Sequence, residues 1–490
     1  MAFALQNRWS RPVAGDSSEL DDAIRAARLI GAEPELVLFG GGNTSVKVLQ
    51  EGREVMYVKG SGADLAQVTA NDYTPLALGP VRKLLAADLP DNRAMYSALA
   101  PHVLRAAAPR PSIETLMHAG MDAPHVIHTH TAAVLAIANT RDCARHLQAA
   151  FGPRVPVAPY RHSGLELARA CVETWRLASA LAPRAMVLAH HGALTCGNSA
   201  REAYDAMLEL ANRAEDYLES HGAPHMGDTA HRPTIAPPAA LDTLMSIARL
   251  RSAACRIAGR KLIGTRRGDA FITGFARRAD LETLTREGPS TPGHAIWTKR
   301  VPMTGIDIDA FAAAYRSYLA GASGVDCAPR VVLDRALGMI AFGVTKRHAD
   351  MTARVFTHDA AIMTRAAVLD GYATIGPDLL RAAELEYAGF EARVAAELPR
   401  AGEVHVIDRA NDRIDAIQAL LDAGAAVAGI ERGGDDSRLF EHPAYQHVNA
   451  EDDPAEARTS VIEAFGGVDH VDAAAHWQNA FQPFMDLDND

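Results

Sequence analysis

Two stretches of this chain follow one pattern, which limits the folds open to it. Arg184 to Gly197 reads RAMVLAHHGALTCG and Arg330 to Gly343 reads RVVLDRALGMIAFG, and a helical pattern follows each. Short apolar runs bounded by turn residues are strand-prone, and their recurrence predicts an internal repeat. In direct alignment His190 and His191 become Ala336 and Leu337. The second copy is therefore expected to lack the first copy's polar chemistry and to serve the packing.

The surrounding sequence reads as α/β. Glu35 to Phe39, Glu54 to Val58, Val126 to His130 and Ala185 to Ala189 look like strands, while Ser17 to Leu29 and Ala200 to Leu218 carry apolar residues at helical spacing. The Gly-, Pro- and His-rich stretch His221 to Pro238 is the expected boundary of a second unit. From Glu403 onward, VHVID, AVAGI, YQHVN and VDHV alternate with helices in a βαβ rhythm, but the first turn, RANDRID, lacks the glycines that let a pyrophosphate approach a helix N-terminus. No NAD is expected there. The predicted division is 1–225, 239–400 and 401–490.

Composition excludes several classes of function. The 490 residues are 48% hydrophobic and 22% charged, enough for a large core. With 49 Lys and Arg against 60 Asp and Glu the formal charge is -11, so no chain-wide basic field draws nucleic acid or anionic lipid. No basic leader and no long uninterrupted apolar run appear, so a cytoplasmic protein without membrane attachment is expected. The five cysteines are scattered, with no CxxC pair, which argues against a disulfide framework or a thiolate-bound zinc.

Three segments carry the chemistry: Glu114 in RPSIETLMHAG, His128 and His130 in HVIHTHT, and His191 in VLAHHGALT. Residues two apart on a strand share a face, so His128 and His130 can address one ion. His191, from a neighbouring strand end, completes a facial set with open positions, as catalytic rather than structural zinc requires. Other divalent ions suit the same donors. A carboxylate beside such an ion can move a proton on or off the carbon next to a carbonyl, and Glu114 fits that role. His190 points the other way on a strand, and His118 and His125 read as helix-face and loop residues. A further group suits an anion: Gly42 and Asn43 in FGGGNTSVK, Lys59, Ser61 and Gly62 in VKGSGADL, and Ser112. Glycine lets backbone amides approach a phosphate closely.

In this order, GGGNTSVK, VKGSG, PSIE, HTH and HHG resemble the class II aldolase/adducin family, in particular its sugar-phosphate aldolases. PSIETLMHAGM, LTREGPSTPGHAIWTKR and PRVVLDRALGMIAFG resemble long proteins that join a rhamnulose-1-phosphate aldolase to a short-chain dehydrogenase. The resemblance implies a three-layer αβα class II aldolase-like fold over 1–225, a degenerate, ligand-less aldolase-like repeat over 239–400, and a truncated Rossmann-like remnant over 401–490. It implies a zinc-dependent aldehyde-lyase that cleaves a ketose 1-phosphate to dihydroxyacetone phosphate and a short aldehyde such as lactaldehyde. Zinc would sit on His128, His130 and His191, Glu114 would carry the proton, and Asn43, Ser61, Gly62 and Ser112 would hold the phosphate. Members of the family assemble as homo-oligomers with sites at subunit interfaces, and the same is expected here.

Two positions depart from the short fuculose enzymes of the family. Ile113 stands where they have a second phosphate-binding serine, and their proton-donating tyrosine has no clear counterpart, with Tyr160 and His162 as substitutes. Two rival functions stay open on the sequence: a metal-dependent aldolase or decarboxylase for another ketose or a 2-keto acid, and a non-catalytic, adducin-like binding protein.

Overall fold

In the computed structural model, residues 4–10, 18–39, 41–225, 239–386, 388–431, 441–449, 451–485 and 487 are described. Most of the loop expected as a boundary, from 226 to 238, lies outside them. The chain is mixed α/β and divides into two compact units, Met1–Thr229 with Ala361–Ile375, and Ala230–Ala360 with Gly376–Asp490.

The first unit opens with α1 (Glu19–Gly31), started by a capping box in which the Ser18 side chain accepts from the Asp21 amide and Asp21 reaches back. Its sheet is formed by β1 (Asn43–Gln50), β2 (Arg53–Lys59), β3 (Tyr73–Ala77), β4 (His125–Thr129), β5 (Val157–Ala158), β6 (Ala185–Leu188) and β7 (Gly192–Gly197), in the order β3-β2-β1-β4-β7-β6-β5. Every neighbouring pair is antiparallel except β5 and β6. Met56, Val58, Leu116, Val126, Met186 and Leu194 belong to one buried cluster.

Two expectations need correction. The apolar segment from Glu35 to Phe39 is not a strand: Leu36 and Val37 are buried, but their amides close turns onto the Glu33 carbonyl. Burial alone produced the strand-like signal, because a short apolar run carries no periodicity that tells a strand from a buried turn. In addition, β4 ends at Thr129, so His130 lies just past the strand.

In the second unit β8 (Ile263–Arg267), β9 (Met303–Thr304), β10 (Val331–Asp334) and β11 (Gly338–Gly343) form a sheet in the order β8-β11-β10-β9. The β10–β11 and β8–β11 pairs are antiparallel and β9–β10 is parallel. The β4-β7-β6-β5 half of the first sheet has the same order and directions. The match extends to close contacts. A Cβ on Gly192 would lie 2.2 Å from the Thr129 carbonyl oxygen, and one on Gly338 would lie 2.5 Å from that of Arg267. Only glycine lets each hairpin press against its neighbouring strand.

The last sheet is parallel throughout, with β12 (Val404–Asp408), β13 (Ala426–Glu431), β14 (Tyr445–Asn449) and β15 (His470–Asp472) in the order β14-β13-β12-β15. This is the strand order of half a doubly wound sheet. At the end of β12 the Asp408 carboxylate accepts from the backbone amides of Arg409, at 2.8 Å, and Ala474, at 3.4 Å.

Candidate active site

The three histidines come together because strand register places them. Asn43 pairs with His128 across β1 and β4, and His128 with Leu194 across β4 and β7. The β6–β7 turn then carries His191 back over the end of β4, with His190 in the left-handed region at φ 57°. The donor nitrogens of His128, His130 and His191 all lie within 4.8 Å of one another. Their ring centroids are 5.1, 5.1 and 5.2 Å apart with planes about 70° from each other, a threefold cradle rather than a stack. His128 and His191 are buried and His130 is half-buried.

Nδ1–H of His128 donates to the Ala193 carbonyl at 2.9 Å, which leaves the lone pair on Nε2. That Nε2 and Nδ1 of His191 are buried without a hydrogen-bond partner among the described residues. Leaving such a nitrogen unsatisfied costs about 1–3 kcal/mol, and an ion in the cradle would remove that cost for His128. Burial, foremost, holds the His128 pKa below its ordinary value, which favours the neutral form that can ligate. The residues therefore suit a divalent metal with nitrogen preference.

Glu114 closes the cradle. The segment before it is fixed to β2: Ser112 N–H donates to the Lys59 carbonyl at 3.2 Å and Ser61 N–H to the Arg110 carbonyl at 2.8 Å. One Glu114 oxygen lies 2.9 Å from His191 Nε2 and 3.6 Å from His128 Nε2. The other accepts from the Asn43 amide at 2.5 Å, and that amide also donates to the Ser112 hydroxyl at 2.9 Å. Burial opposes ionisation of Glu114, but the three imidazoles outweigh it and hold the carboxyl well below the usual range. Glu114 stands just before a helix, Thr115–Gly120, without capping it with its side chain.

His118 and Ser45 are the residues that sequence reasoning missed. His118 is fully buried; its Nδ1 accepts from the Ser45 hydroxyl at 2.7 Å and its Nε2–H donates to the Asn43 side-chain carbonyl oxygen. Burial pushes its pKa down to about 3, so it stays neutral in this role. It thereby fixes which end of the Asn43 amide faces Glu114. The signal was present: Asn43 and Ser45 are two apart on a strand and share a face, and His118 lies four residues after Glu114.

The expected phosphate group is only partly gathered. Asn43 and Ser112 are bonded to each other, and Gly42, at φ 64°, passes so close to β4 that a Cβ would lie 2.7 Å from the His128 carbonyl oxygen. Ser61 and Gly62 are exposed at a loop tip, with open space beside Gly62. Lys59 is not a solvated lysine. It is buried, donates to the Gly60 and Ala63 carbonyls, and is pushed down to about 8 by burial. Tyr160 and His162 are half-buried in the segment after β5, which runs parallel to β6 toward the histidine turn. His190 bonds Asn139 at 2.8 Å and His125 bonds Glu19 at 2.7 Å.

Comparison with known proteins agrees with this architecture. Residues 21–218 match the Class II Aldolase and Adducin N-terminal domain, and residues 242–393 match the Aldolase class II, second domain. The chain belongs to the class II aldolase/adducin family. It is 33% identical to the N-terminal class II aldolase domain of a conserved protein from Thermoplasma acidophilum, covering 44% of this chain and 100% of that one, with a TM-score of 0.41. An L-fuculose-1-phosphate aldolase from Thermus thermophilus is 20% identical over 41% of this chain and 95% of its own, with a TM-score of 0.27. The uncharacterized oxidoreductase YuxG of Bacillus subtilis (strain 168) is 26% identical over 388 residues, 73% of this chain. The chain spans 55% of the length of that relative. Among the described residues no helix is long and apolar enough to cross a membrane.

Proposed function

We propose that this chain is a zinc-dependent aldolase that cleaves a ketose 1-phosphate of the rhamnulose type to dihydroxyacetone phosphate and a short aldehyde such as lactaldehyde. The observation that carries the reading is the Glu114 carboxylate, buried and shared between two imidazoles of a three-histidine cradle on one oxygen and the Asn43 amide on the other. His128, His130 and His191 would hold the ion. When bound, zinc supplies Lewis-acid polarisation of the ketose carbonyl.

The chain's own groups account for the rest. In the cleavage direction the hydroxyl on C4 gives its proton to solvent water and becomes the aldehyde carbonyl, the C3–C4 bond breaks, and its electron pair passes to C3 as an enediolate. Glu114, ionised at rest, takes up a proton from solvent water and delivers it to C3, completing dihydroxyacetone phosphate. Asn43 orients Glu114, while Ser112, the Ser61 hydroxyl and the Gly62 amide bind the phosphate. Assembly into a homo-oligomer goes with this reading, and the mass in solution by light scattering tests it.

The test is zinc content of the purified chain together with dihydroxyacetone phosphate release from rhamnulose 1-phosphate by wild type and Glu114→Gln. Near-stoichiometric zinc in both, with product released only by the wild type, supports the assignment. Bound zinc without release from any ketose 1-phosphate would move the substrate to an unphosphorylated ketose or a 2-keto acid, and a chain that binds no metal would return the adducin-like alternative.

A further inference from the structure

Among the described residues one other group brings metal-ligating atoms together, and it lies in the other compact unit. The ligand atoms of Glu403, His405 and His470 lie within 4.8 Å of one another. We propose that these three side chains form a second metal site, which takes a borderline transition-metal ion such as Zn2+, Cu2+ or Ni2+.

The placement follows from the sheet. His405 on β12 and His470 on β15 are direct partners in a parallel ladder, so both side chains leave the same face. Their rings lie 4.4 Å apart at 25°, and both Nε2 atoms turn to one oxygen of Glu403, at 2.9 and 3.8 Å. Two imidazole nitrogens and a carboxylate select zinc, copper or nickel over magnesium or calcium, which take all-oxygen shells. His470 is half exposed, so an ion there keeps positions for water. Arg400 also donates to the same Glu403 oxygen at 2.9 Å, so an ion must compete with that pair and should bind more weakly than at the buried triad. The gain is mechanical: β15 has three residues and lies at the sheet edge, and an ion shared with His405 would clamp it to β12.

The experiment is zinc titration of the metal-stripped, full-length chain as wild type, His130→Ala, His470→Ala and the double variant. Two equivalents are expected in the wild type, one in each single variant and none in the double. His130→Ala loaded with Cu2+ should show nitrogen couplings from two imidazoles in its electron paramagnetic resonance spectrum, lost when His470 is also changed. A His130→Ala protein that binds no zinc, or a His470→Ala protein that still binds two equivalents, overturns the proposal. Failure at the triad gives a different pattern, no zinc in His470→Ala and one equivalent in His130→Ala. Glu403→Gln, which keeps the side-chain shape, guards against misfolding of His470→Ala: it should weaken the second equivalent at least about tenfold, and unchanged affinity would also sink the idea.

Discussion

The β6–β7 and β10–β11 hairpins solve the same packing problem with different turns. Both antiparallel pairs meet an antiparallel strand on one side and a parallel strand on the other, and both open with a glycine pressed against a carbonyl. The first turn carries His190 and His191, and the second carries Ala336 and Leu337. Register extends the contrast to the next strand. His128 pairs with Leu194, and at the matching place in the second sheet Arg266 pairs with Ile340. Arg266 Nε donates to the Leu337 carbonyl at 3.0 Å, and its guanidinium is paired with Glu463 at 2.5 Å. Where the first copy gathers imidazoles, the second places a guanidinium. The same scaffold can thus hold a metal-ready or a self-paired centre.

The contrast is broken most strongly from the first side. His191→Leu, which copies the second turn into the first, should abolish metal retention and lower cleavage by at least about 10³-fold, since several kcal/mol of charge stabilisation go with the ion; metal analysis and a coupled dihydroxyacetone phosphate assay check both. Glu114→Gln leaves the imidazoles in place, so metal should stay while turnover falls roughly 10²- to 10⁴-fold. His118→Ala removes the donor that orients Asn43 and should cost about 10- to 100-fold in turnover with metal still bound, the usual range for groups supporting a metal site. If metal is lost instead, His118 does more than orient Asn43.

From the other side, Arg266→Ala should destabilise the second unit by about 2 kcal/mol through a partly buried carboxylate left without its partner, read as a lower denaturant midpoint with unchanged metal content. A pH-dependent effect concerns Glu35, whose buried Oε2 has no hydrogen-bond partner among the described residues. Burial, then Glu215, raises its pKa to about 7. The folded state therefore holds a proton that the unfolded chain releases near pH 4.5, so stability is lost as pH rises from there through about 7. Glu35→Gln should flatten that decline, by up to about 3 kcal/mol at pH 8; equal decline in both proteins would show that another group sets it.

Much of this contrast could be read from the chain. The HTH and HHG motifs, Glu114 and the echo of Arg184 to Gly197 in Arg330 to Gly343 are local patterns, and local patterns survive without coordinates. The match of Arg266 to His128 is not local. It depends on which residue of β8 faces Ile340, and the VIHTH and LIGTRRG stretches share no side-chain chemistry that would align them. Lys59 is similar: its sequence neighbours fit a solvated loop, but the Gly60 and Ala63 carbonyls that take its protons become acceptors only once the loop folds back. His118 escapes a reading of the sequence because a histidine on a short helix is usually a packing residue, and its partners come from β1, more than seventy residues earlier.

The arginine at the second hairpin has a consequence for how the two halves meet a changing environment. A guanidinium is synthesised with the chain and stays charged at any physiological pH, so that centre is complete as soon as the polypeptide folds. The histidine cradle would have to take a cation from solution, and its nitrogens would be contested by protons. One copy of the scaffold is therefore indifferent to chelation and mild acid, while its twin would follow the supply of metal, and a single polypeptide carries both the responsive element and its insensitive control.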